Sequence, residues 1–299
     1  MTERPDSFTG QLARTGHRSQ SGPTRAWNRA PAVSSAHART SCLHRSTGDL
    51  FSALPGTVSA IPAPPSASQD DKARSAVPTD PGPEWKRVTA EDFDSFRSDA
   101  YGTYDSVGAF GNGLRRSSAI GVSDGALNIT ARNGNVSGGL AHKLDRTYGR
   151  WEFRARTDKG RGFGSAILLW PESERFPEDG EIDIMEVPSE TRDRAHFIVH
   201  FAGPGGSDKV YGSYAEDDFS QWHTFAVDWL PDRIVYYVDG VERFRVTDRN
   251  IIPDKPMHLA MQFDQGPKKD WIPAPDATTP PAFSLQVDWL RVYAPASRS

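Results

Sequence analysis

Between Trp85 and Tyr293 the chain never sustains the 3.6-residue apolar period of an amphipathic helix. Short runs rich in Val, Ile, Phe, Tyr and Trp recur instead, each cut off by Gly, Asp, Asn or Pro. Ala126–Ala131, Gly149–Thr157, Ser165–Leu169, Gly180–Val187, Ala195–Phe201, Thr224–Leu230, Arg233–Val238, Glu242–Val246, His258–Phe263 and Ser284–Tyr293 read as strands. Asp239-Gly240 joins two of them in a tight hairpin, because both residues tolerate the positive φ such a turn demands. About 210 residues of this texture predict an all-β fold, a sandwich or barrel of jelly-roll type.

The preceding part of the chain differs. Ser, Ala, Pro, Thr and Arg dominate residues 1–83 and apolar residues stand singly, which predicts a disordered leader and linker. Pro55, Pro62, Pro64 and Pro65 crowd into its middle. One globular domain is expected over residues 84–296, with a short tail at 297–299. Residues 1–83 carry nine Lys/Arg against six Asp/Glu, and the remainder 26 against 33. An acidic domain speaks against nucleic acid and other polyanions and fits a neutral ligand. The single cysteine, Cys42, excludes an intramolecular disulfide and a cysteine-built metal cage. No apolar run is long enough for a membrane span. An export signal needs a basic start, an apolar core and small residues at the cut, and the first residues offer none of it. An incomplete version runs from His44-Arg45 through Leu50–Ile61 to small residues near Ala67. It reads either as a signal behind a start placed too far upstream or as part of a plain extension.

Chemistry concentrates in Gly180-Glu181-Ile182-Asp183-Ile184-Met185-Glu186, where three acids interrupt an apolar strand. Strand side chains alternate faces, so Glu181 and Asp183 share one face and Ile182 and Ile184 the other. Strict alternation would turn Glu186 inward, and a buried unpaired carboxylate is costly. A β-bulge near Ile184-Met185 adds the one residue that returns Glu186 to the acidic face. Such a row suits a retaining glycosidase, in which two carboxyls about 5–5.5 Å apart act as nucleophile and acid/base. Asp183 between them would share a hydrogen bond with the nucleophile, and repulsion among the acids would raise a neighbouring pKa, as a general acid requires. The competing readings of the segment are a solvated acidic face and a divalent-cation site.

This segment, with Leu168-Leu169-Trp170-Pro171 ahead of it, resembles the signature of family 16 glycoside hydrolases in its bulged, laminarinase-like form. Tyr148-Gly149-Arg150-Trp151-Glu152-Phe153-Arg154-Ala155, Trp222-His223-Thr224-Phe225, Tyr237-Val238-Asp239-Gly240 and Val287-Asp288-Trp289-Leu290-Arg291-Val292-Tyr293 follow in order, so the resemblance spans about residues 84–295. It implies a bent, concanavalin-like β-jelly-roll sandwich of two antiparallel sheets with a concave substrate cleft. It implies Glu181 as nucleophile, Asp183 as its helper and Glu186 as acid/base, with no catalytic cofactor. It further implies a polysaccharide substrate, a monomer and a secreted or cell-surface location. The substrate implied is a β-1,3-glucan of laminarin type, cut internally. The alternatives are a transglycosylase, a galactanase of agar or carrageenan type, and a non-catalytic glucan-binding module. Two departures stand out: Phe176-Pro177 where laminarinases often carry Trp-Pro, and Met261–Gly266 where they show an asparagine-bearing strand.

Sugar rings stack on aromatic side chains, so Trp170 beside the acids and Trp271 in the Pro267–Pro281 loop are the expected platforms. Trp151, Trp222, Trp229 and Trp289 fall at strand positions and are expected in the core. His196 and His200 share a face with Ile198, and His200 is expected next to Glu186, orienting or tuning that acid. Gln262 is a candidate partner for a sugar hydroxyl. Asp288 resembles the position that holds a structural calcium in many family members, an ion that takes about six to eight oxygens.

Overall fold

A computed structural model describes residues 80–132 and 135–296. The leader up to residue 79, with Cys42 and the incomplete export signal, and the tail 297–299 lie outside the described residues. Eighteen strands follow one another: β1 (Trp85–Glu91), β2 (Tyr101–Thr103), β3 (Ser106–Val107), β4 (Leu114–Arg115), β5 (Ile120–Ser123), β6 (Ala126–Arg132), β7 (Val136–Ser137), β8 (Gly139–His142) and β9 (Gly149–Thr157). Then come β10 (Phe163–Pro171), β11 (Glu181–Val187), β12 (Arg194–Ala202), β13 (Asp208–Glu216), β14 (His223–Leu230), β15 (Arg233–Val238), β16 (Val241–Val246), β17 (Met257–Gln265) and β18 (Ala282–Pro295). The larger sheet is ordered β16-β15-β14-β9-β18-β6-β7-β4-β3, with β1 on β18 and β5 on β6. The smaller is ordered β13-β12-β11-β10-β17-β8-β2. Pairing is antiparallel throughout except between β4 and β7. No helix among the described residues is long and apolar enough to cross a membrane. The fold is therefore the expected jelly-roll sandwich.

Alternation decides what each strand buries. Along β9, Trp151, Phe153 and Ala155 enter the core between the sheets, while Arg150, Glu152, Arg154 and Arg156 belong to the outer face. Trp151 meets Trp229 of β14 at 6.0 Å and Phe153 meets Phe225 at 5.7 Å between ring centroids. From the smaller sheet Ile167, Ile182, Val199 and Met261 close the same core. Trp222, expected in that core, lies instead beside the outer face of the larger sheet, against the guanidinium groups of Arg154 at 5.0 Å and Arg156 at 4.9 Å. The β15–β16 hairpin turns at Asp239 and Gly240, with φ of 50° and 75°. β13 was not foreseen: as an edge strand it is exposed along most of its length and shows no apolar alternation. The first and last strands lie side by side, with Trp85 paired to Pro295 and the Ala296 N–H donating to the Glu84 carbonyl at 2.7 Å.

Candidate active site

β11 runs between β10 and β12. Across on β12, Glu181 faces His200, Asp183 faces Ile198 and Glu186 faces His196. Between Asp183 and Glu186 β11 advances three residues while β12 advances two, and on the other side Leu168 and Ala166 of β10 are likewise two apart. The extra residue is the expected bulge. Ile184 and Met185 both enter the core, each 1% exposed, and these two successive inward side chains reset the phase. Glu186 therefore emerges on the outer face with Glu181 and Asp183.

The expectation that His200 neighbours Glu186 does not hold. Antiparallel pairing sets the later residues of β12 against the earlier ones of β11, so His200 meets Glu181 and Asp183, and His196 meets Glu186. His200 Nε2 lies 3.3 Å from Asp183 Oδ2, and its Nδ1 lies 3.0 Å from Asp208 Oδ1. Burial works against the imidazolium, but the Asp183, Asp208 and Glu181 carboxylates outweigh it and push His200 up to about 11. His196 goes the other way: burial, aided by Arg194, brings it down to about 4. One histidine of the strand is a cation at neutral pH and the other is not. Neither Asp183 oxygen completes a fully aligned hydrogen bond to a protein donor, and Asp183 acts on His200 and Glu181 through its charge together with a looser side-chain hydrogen-bond contact to each. Burial and the Asp183 charge raise both Glu181 and Glu186 well above the usual carboxylate range, with His200 opposing the rise at each. Asp264 adds to the rise at Glu186.

The expected platform at Trp170 is closed. Its indole is 2% exposed, stacks on Phe176 at 5.3 Å and donates to Glu174 Oε2 at 3.1 Å. The turn after β10 folds back over the indole, and half-buried Phe176, 5.5 Å from the His200 ring, is the aromatic surface near Glu181. Trp271 sits at the other end of the acidic row, half-buried, with its ring 4.5 Å from that of His196. Gln262 of β17 pairs with Ala166 of β10, which in turn pairs with Glu186. Its Oε1 accepts from Arg115 Nη2 at 2.9 Å, and Arg115 also binds Asp264. Sequence reasoning missed Arg115 and Asp264, which lie 149 residues apart. Arg115 belongs to a two-residue strand too short to carry a pattern.

Asp288 lies on the outer face of the larger sheet, beside Arg154. It is the extra residue of a second irregularity, between Val287 and Trp289 of β18, and its Oδ2 accepts from Arg154 Nη1 at 2.6 Å. Among the described residues no group of three or more His, Cys, Asp or Glu could hold a metal ion. The Arg154 guanidinium balances the Asp288 charge.

Carboxyls of raised pKa, set in one row on the outer face of a jelly-roll sheet and held against an imidazolium, are the arrangement that acid/base cleavage of a glycosidic bond calls for. The chain belongs to glycosyl hydrolases family 16, whose profile matches residues 112–291. The beta-glucanase of Rhodothermus marinus is 30% identical over 258 residues, 72% of this chain and 87% of that protein. Among solved structures, the laminarinase from Rhodothermus marinus is 27% identical with a TM-score of 0.62, covering 71% of this chain and 98% of that one. The endo-beta-1,3-glucanase from Pyrococcus furiosus is 26% identical with a TM-score of 0.63, covering 72% and 96%.

Proposed function

We propose that this chain is a retaining endo-β-1,3-glucanase, acting as a monomer outside the cell or at its surface, with Glu181 as nucleophile and Glu186 as acid/base. The observation that carries the reading is the bulge, which brings both carboxyls to one face of one strand with Asp183 between them. Charge divides the labour. Glu181 stands opposite the cationic His200, which favours an ionised nucleophile, while Glu186 stands opposite the neutral His196 and feels Asp264, which favours a proton donor. Glu186 then protonates the glycosidic oxygen as the Glu181 carboxylate attacks the anomeric carbon. Water, giving its proton to Glu186, next displaces Glu181 from the sugar with the configuration restored. The β-1,3-glucan is supported by the names of the relatives and by the acidic domain, which suits a neutral polymer.

Glu181→Gln should keep the fold and lose activity on laminarin by about four orders of magnitude, since an amide cannot attack. Proton NMR of the first wild-type products should show the β anomer. An initial α anomer, or near-normal turnover by Glu181→Gln, would end the assignment. Preferential cleavage of agarose or carrageenan over laminarin would move the substrate to a galactan.

A further inference from the structure

Beyond β10 from the acids lies a buried polar group whose hydrogen bonds double displacement leaves unused. Arg115 is fully buried, its guanidinium 5.5 Å from the centre of the Tyr104 ring. Its Nε donates to Asp264 Oδ1 at 3.0 Å, and its Nη2 donates both to that oxygen and to Gln262 Oε1, the latter at 2.9 Å. A guanidinium can only donate, so this contact settles the Gln262 amide: oxygen toward Arg115, the Nε2 hydrogens away from it. Arg115 occupies Asp264 Oδ1, which leaves Oδ2 as a free acceptor. Gln262 and Asp264 are two residues apart on β17 and share its outer face. That face is the one bearing Glu186, because Gln262 pairs with Ala166 and Ala166 with Glu186. Opposite Gln262 on β8 stands Gly139, where a Cβ would come 2.6 Å from Tyr104 Cδ2. Only a glycine there lets Tyr104, and the guanidinium over it, settle into place. Arg115 Nη1 is also buried and has no protein partner, so the group holds more donor capacity than the protein uses.

We propose that Gln262 and Asp264 form a subsite that reads two adjacent hydroxyls of a neutral pyranose, one as acceptor and one as donor, and that Arg115 is the residue positioning both. This rests on the glycosidase reading above and narrows its substrate. β17 lies about 9.5 Å from β11, two strand spacings, within reach of a neighbouring ring of the same polymer. Arg115 balances the Asp264 charge, so the subsite carries no net charge and suits an uncharged ring.

The test uses two variants of opposite charge. Gln262→Glu keeps an acceptor for Arg115 but removes the donors facing the sugar. Asp264→Asn keeps an acceptor for Arg115 but replaces the free acceptor by a donor. With Glu181→Gln as the non-cleaving parent, each should weaken calorimetric binding of neutral laminari-oligosaccharides about tenfold, roughly one hydrogen bond. In the active enzyme each should raise KM about tenfold, and Asp264→Asn should in addition move the pH profile of kcat to lower values, because it removes one of the charges that hold Glu186 up. Arg115→Lys, which keeps the charge without the fork, should raise KM in the same way. Unchanged binding in both variants, with pH profiles displaced in opposite directions, would overturn the subsite and leave only a charge effect on Glu186. Failure of the glycosidase reading looks different: wild type would cleave no glucan, and the parent would bind none.

Discussion

His196 and His200 stand four residues apart on one strand and differ in charge at neutral pH, and that difference has a measurable consequence. His200 lowers both Glu181 and Glu186. His200→Gln removes the cation, so both carboxyl pKa values climb further. Both limbs of the kcat/KM profile should then move to higher pH, the acid limb set by ionisation of Glu181 and the alkaline limb by loss of the Glu186 proton. A profile that stays put or moves to lower pH would contradict the arrangement. Stability follows the same sign. The His200 contribution is fully present below its unfolded value of 6.5 and is lost as pH rises through about 11. Glu181 and Glu186, raised from 4.5, likewise cost stability as they ionise with rising pH. The acids themselves were legible in sequence, since three carboxyls crowded into an apolar strand repel one another and oppose burial unless chemistry requires them there. The neighbour of each histidine was not, because it depends on strand direction and register across a turn. Arg115 and Asp264 were invisible for a plainer reason: their meeting is created only when distant segments pack.

The bulge in β11 sets a phase, and phase can be tested by counting residues. Removing Met185 leaves Glu181-Ile182-Asp183-Ile184-Glu186, which alternates strictly and still points all three acids outward. The deletion variant should therefore keep measurable laminarin hydrolysis while losing about 2–5 kcal/mol of stability with the buried Met185 side chain. A folded deletion variant with no activity would mean that the irregularity itself, rather than the face, positions Glu186. Legibility varied by element along the same lines. β10 and β11 announced themselves as largely apolar runs buried almost throughout, and β12 by burying Ala195, Phe197 and Val199 in alternation. β13 did not, because an edge strand half in solvent has no need of alternation. The place of Trp170 at the edge of the acidic row was legible, yet nothing local revealed that Phe176 would fold back onto it. At Asp288 nothing in the sequence pointed to the guanidinium that the neighbouring strand sets against its carboxylate.

For the molecule as a whole, texture was enough to recognise a sandwich of short strands, whereas the order of strands within each sheet was not written in any local pattern. One property of that order concerns mechanics. β1 begins where β18 ends, so tension applied through the two ends of the described fold opens the pair as a zipper does. Trp85 parts from Pro295 first, then Lys86 from Ala294, then Arg87 from Tyr293, each pair bearing the load alone. Little of the core moves with it, since Glu91 is the only fully buried residue of β1. In a single-molecule pulling experiment the first event should be a soft peeling of this one strand, followed by a much stiffer resistance from the remaining sandwich. The acids on the opposite sheet stay assembled through that first event, so the seam between the two end strands can yield under load while the acidic row keeps its shape.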